Sequence, residues 1–271
     1  MMDEPPRFAP QDLSRRLVER SYPSDVVANK VRAIYHAVLT RSPCITRGNF
    51  ESVSPADLEL LFELYDEQFY AGDLGGLLRA SGAPLRLVLS ARLTRSAGLT
   101  KRFATRPRRG GPPPAVSRYE IVLSTTLLFQ TFRDVERTVR VNGLVCNDRL
   151  EASQRVFEHE LTHLLEMLVW GASNCDQGRF RALVRNYFGH PQTRHDLVTQ
   201  QERARARFDV RVGDRVAFEF DGARHEGVVN RITRRATVLV EGPAGEVYSD
   251  GKRYVKYYIP LPMLEKVVLP G

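Results

Sequence analysis

The segment from Asp148 to Trp170 leaves this chain few ways to fold. Val156, Leu161, Leu164, Leu165, Leu168 and Val169 spread apolar surface around most of a helical circumference, and Gly171 suits the helix end. A helix of that kind belongs inside a core. The same segment carries His159-Glu160-Leu161-Thr162-His163. Polar groups buried there need partners, and a metal ion would supply one. Residues four apart on a helix lie one above the other, so His159 and His163 can reach a single ion. Glu160 can reach a water on that ion. H-E-x-x-H on a helix is the zinc-hydrolase arrangement of two ligands and a general base, here for cleavage of a peptide or amide bond.

A catalytic zinc usually takes a third protein ligand. Cys175, on the loop after the metal helix, is the preferred candidate because thiolates bind zinc well. Asp176 is the hard-oxygen alternative. Glu166 lies seven residues beyond His159 on the same face and leans toward the ion, which suits support of a ligand better than ligation. His190 and His195 follow the next helix, Phe180–Phe188, and reach the metal only if that helix runs alongside it.

The 271 residues suffice for one large or two small domains, and no apolar run is long enough to span a membrane. The acidic, proline-containing start, Met1-Met2-Asp3-Glu4-Pro5-Pro6, does not read as a targeting peptide. Three widely spaced cysteines, Cys44, Cys146 and Cys175, fit a reduced, cytoplasmic protein. The net charge of +8 favours polyanionic partners, DNA or RNA.

Before the metal helix, residues 11–20 and 24–41 read as helices. Ser54-Pro55 opens another, with Leu58, Leu61, Phe62, Leu64, Tyr65 and Phe69 on its apolar face. Leu85–Ser90 and Tyr119–Ser124 read as strands, and residues 101–114 as a basic, Gly- and Pro-rich mobile loop. Residues 200–207 read as a helical or flexible linker. From Asp209 onward, short β-rich runs separated by Asp221-Gly222, Gly242-Pro243 and Asp250-Gly251 predict a small SH3-like barrel.

Several segments together resemble the SprT-like zinc metalloproteases, which include the Spartan DNA–protein crosslink proteases. Leu61–Tyr70 followed by Gly72-Asp73-Leu74 is similar to that family's opening helix. Leu89–Gly98 is similar to its sheet segment, Ile121–Ser124 to its strand before the metal helix, and His159–His163 to its catalytic helix. The resemblance covers about residues 54–190. It implies a zincin-like fold, a bound Zn2+, a protein substrate and a link to nucleic acid. The family's third histidine falls at Asp176 by position, and Ser173–Phe180 contains none.

Two basic groups are candidate nucleic-acid contacts. Lys101, Arg102, Arg106, Arg108 and Arg109 form one, and Arg231, Arg234, Arg235, Lys252, Arg253 and Lys256 interleave with tyrosines in the other. The expected architecture is therefore α+β. A helical extension (1–50) leads into a metallopeptidase domain (51–200) with a small antiparallel sheet and the H-E-x-x-H helix, and the barrel (208–271) follows.

Overall fold

Asp148 starts the metal-motif helix by accepting a hydrogen bond from the Glu151 amide at 2.8 Å, and Gly171 ends it in the left-handed conformation, φ 76°. Between them, sixteen of the helix's 22 residues are buried, so it meets protein on nearly every side. In the computed structural model, which describes residues 11–105, 116–133 and 137–267, the chain divides into two compact units.

The first unit runs to Leu197, apart from residues 133–136. Its elements are α1 (Gln11–Glu19), α2 (Ser24–Arg41), α3 (Pro55–Tyr65), α4 (Asp73–Ser81), β1 (Leu85–Ser90), β2 (Gly98–Ala104), β3 (Val116–Ser124), α5 (Thr125–Gln130), β4 (Val139–Val141), β5 (Leu144–Cys146), α6 (Arg149–Trp170) and α7 (Gly178–Phe188). One core joins Leu17 and Val31 of the first two helices to Tyr65, Phe157, Leu161, Leu165 and Phe188. Each such side chain contributes about 1.5–3 kcal/mol by leaving water.

The sheet is mixed, where the sequence predicts an antiparallel one. Its order is β1-β3-β2, with β1 parallel and β2 antiparallel to β3. The three strands alternate in direction along the chain. Because β3 inserts between the other two, β1 meets the strand that runs its own way. Strand β2 is left at the sheet edge and packs on α6.

Next to His159 on α6, a polar group is sealed in the core. Glu158 receives the Tyr65 hydroxyl at 2.7 Å, the Arg155 guanidinium at 3.0 Å and the His190 ring at 2.6 Å. Burial alone would raise the Glu158 carboxyl, but Arg155 and His190 outweigh it and hold it below the usual range.

The second unit contains α8 (Gln200–Phe208), β6 (Arg215–Phe220), β7 (Ala223–Ile232), β8 (Arg235–Val247), β9 (Arg253–Pro260) and β10 (Glu265–Lys266). The segment read as a helical or flexible linker is helical. Val216, Phe218, Val229, Val238 and Ile259 form the core with Ala204 of α8. The antiparallel sheet runs β10-β6-β7-β8-β9, and its end strands do not pair with each other. Among the described residues the sheet is open, and no closed barrel forms. A short turn at Leu261–Met263 carries the chain from β9 to the opposite edge, where β10 matches only two residues of β6.

Candidate metal centre

His159 and His163 lie one turn apart on α6 with their rings edge to face and their Nε2 atoms 3.1 Å apart. The Sγ of Cys175 joins them, and the three donor atoms lie within 4.8 Å of one another. Four-coordinate zinc with Zn–N near 2.0–2.1 Å separates two nitrogens by about 3.3 Å. The imidazole pair therefore has nearly the spacing that a shared ion imposes, and two imidazoles with a thiolate are a donor set suited to zinc. Phe180, at the start of α7, packs against both rings, with centroids 4.8 Å from His159 and 4.4 Å from His163.

Burial pushes the His159 ring down to about 3, helped by the nearby histidines, and the His163 ring down to about 4. Both are neutral at pH 7, as metal ligands must be. The Cys175 thiol is shifted upward, first by burial and then by the Asp176 charge. A cation would reverse that shift by stabilising the thiolate.

The other candidates for a third ligand are held elsewhere. Glu166 accepts the Ser173 hydroxyl at 2.5 Å on one oxygen and Arg179 at 2.8 Å on the other. Ser173 Oγ in turn lies 2.7 Å from His163 Nδ1. Since the single Ser173 proton goes to Glu166, Nδ1–H of His163 must donate to Ser173. Its Nε2 lone pair is thereby aimed at His159 and the metal position. Glu166 thus acts on the centre through Ser173. Asp176 is exposed, and its Oδ1 lies 3.8 Å from Arg181. His190 is turned into the core toward Glu158. His159 lacks the support that His163 has, because its Nδ1 is buried with no hydrogen-bond partner among the described residues.

Glu160 lies under the edge strand. Thr100 donates to its Oε2 at 2.7 Å, and a Cβ on Gly98 would stand 2.5 Å from its Oε1. Burial lifts its carboxyl to about 7, against the lowering effect of the Thr100 hydrogen bond. A carboxyl with that value exchanges protons near neutral pH.

These groups line a cleft of about 670 Å³, bordered by Ala97, by Gly98–Thr100 of the edge strand and by Thr193–His195. His195 accepts the Ala97 amide on Nε2 at 3.1 Å and tethers one wall to the other. Of the basic residues expected near residues 101–109, Lys101 and Arg102 lie on β2, with Lys101 3.8 Å from Glu120. Arg106, Arg108 and Arg109, with the rest of the expected mobile loop from Arg106 to Pro114, lie outside the described residues.

No protein-family model, curated protein or solved structure matches the chain. Sequence reasoning did not single out Thr100, Gly98 or Ser173 for these roles. Their types are common and their partners lie on other elements. The Ser173 position, between the motif and Cys175, was the one available clue.

Proposed function

We propose that the first unit is a zinc-dependent metallopeptidase similar to the SprT-like proteases. The observation that carries this reading is the convergence of His159, His163 and Cys175 beside Glu160 in one cleft. Zn2+ held by those three residues would polarise the scissile carbonyl and make water a nucleophile at neutral pH. Glu160 takes the proton of the attacking water and returns it to the leaving amine. Thr100 holds its carboxylate by a hydrogen bond while it does so, and Gly98 leaves the room it occupies. Ser173 and Glu166 keep the His163 ring in the tautomer that leaves Nε2 free.

The substrate is a polypeptide in extended form. Strand β2 has β3 on one side only, and its other edge borders the cleft, so a peptide can add there as a further strand. The chain's positive charge points to proteins associated with or crosslinked to nucleic acid. Among the described residues no helix is long and apolar enough to cross a membrane.

The test is to measure zinc content and to compare wild type with Glu160→Gln on free proteins and on protein–DNA conjugates. Bound zinc, with cleavage lost in the variant, supports the proposal. Equal processing by both, or a protein that takes up no zinc, would overturn it in favour of a nucleic-acid-binding or scaffold protein with a degenerate metal site.

A further inference from the structure

A second cavity of about 320 Å³ adjoins the metal cleft at its Cys175 end, and Thr193 and Arg194 line both. Its lining includes three exposed arginines, Arg181, Arg185 and Arg194, against one acidic residue, the exposed Asp176. Arg181 lies 3.8 Å from Asp176. Arg185 and Arg194 form no ion pair with any described residue. The remaining walls, among them buried Val184 and His190, add no negative charge. His190 is already tied through Nε2 to Glu158.

We propose that this cavity is a specificity pocket for an acidic side chain of the bound polypeptide, on the Cys175 side of the scissile bond. The inference rests on the peptidase reading and deepens it. Two arginines without a carboxylate partner, facing one small cavity, can grip a single carboxylate by charge-assisted hydrogen bonds. A nucleic-acid backbone asks for something different, namely positive charges strung along a track. Here the cations surround one pocket that shares a wall with the metal centre. That is where a side chain a few residues from the cleaved bond must go.

The experiment uses zinc-loaded full-length Glu160→Gln protein and fluorescently labelled peptides identical except for Glu, Gln or Lys at each position in turn, read by anisotropy. At one position the Glu peptide should bind about tenfold tighter than the Gln peptide, the scale of a charge-assisted contact. That preference should vanish in Arg185→Ala/Arg194→Ala, while the Gln peptide binds as before. Arg185→Glu/Arg194→Glu should reverse it in favour of Lys, which also guards against a variant that merely fails to fold. Equal binding of Glu and Gln peptides at all positions would overturn the proposal, as would a preference that survives both double variants. Displacement of the acidic peptide by single-stranded DNA from the parent protein, with DNA binding lost in the alanine variant, would give the pocket to phosphates instead. Cleavage of neutral peptides by wild type is scored separately. If it is absent while the Glu preference stands, the peptidase reading fails and the pocket survives. If cleavage is present without the preference, the pocket alone fails.

Discussion

Thr100 donates its hydroxyl to the Oε2 of Glu160 at 2.7 Å, across sixty positions of sequence. The bond favours the ionised carboxylate, so it opposes the burial that lifts Glu160 to about 7. Thr100→Val keeps the shape and removes the donor. We expect the Glu160 carboxyl of the metal-free protein to titrate at higher pH in this variant, read by isotope-edited infrared spectroscopy. In the zinc-loaded enzyme the acid limb of the pH–rate profile should move the same way. An unchanged titration would mean that the hydroxyl does not act on the carboxylate.

Gly98 offers a sharper test of the same placement. A methyl group there would meet Glu160 Oε1 at 2.5 Å, closer than side-chain carbons approach such atoms. Gly98→Ala should therefore displace the carboxylate while leaving the histidines alone. Zinc content should stay at the wild-type level as peptidase activity falls by about 100-fold, the scale of a misplaced acid–base group. Loss of zinc would show that the strand also holds the metal ligands.

Removal of Ser173 leaves His163 Nδ1 without its acceptor and Glu166 without its link to the centre. Ser173→Ala should weaken zinc affinity by about 10- to 100-fold in chelator competition, the usual cost of losing a group that orients a ligand. Cys175→Ala, which on the proposed reading removes a ligand outright, should weaken it further. Were the two variants equally mild, Cys175 would not be coordinating.

The acid sensitivity of the metal-free protein follows from His159 and His163. Their folded values, about 3 and about 4, lie below the ordinary value near 6.5. Between these limits the unfolded chain binds more protons than the native one, so stability falls as pH drops through that window. Glu160 acts in the opposite sense. Its raised value contributes stability below about 4.5 that is lost as pH rises through about 7. Two histidines outweigh one carboxyl, and urea midpoints with EDTA should fall from pH 7 to pH 5. In His159→Gln/His163→Gln the midpoint should fall less, because His190 and His195, also held down by burial, are then the histidines left acting in that sense.

The elements that were readable from sequence are those whose identity is decided locally. Helix α6 shows in its apolar periodicity and its Asp148 and Gly171 ends, α3 in Ser54-Pro55, and most strands of the second unit in the turns between them. Strand β2 is different. Gly98–Ala104 alternates poorly and contains Lys101 and Arg102, and it becomes a strand only because β3 lies beside it. The sheet's mixed direction and the open end at β10 depend likewise on which strand inserts where, which no local pattern encodes. At the site, H-E-x-x-H names three residues because one helix carries them all. Thr100 and Ser173 reach them from a strand and a loop, and only folding brings them there.

Strand β2 meets two things at once: its packed face sets Gly98 and Thr100 against Glu160, and the same stretch, Gly98–Thr100 of an edge strand, lines the cleft. Anything that lengthens the sheet by pairing with the free edge of that strand also damps its motion. On the proposed reading, a well-matched chain would therefore quiet the carboxyl that takes the proton of the attacking water. Discrimination among substrates would then appear in how fast a bound chain is cut as much as in how tightly it is held.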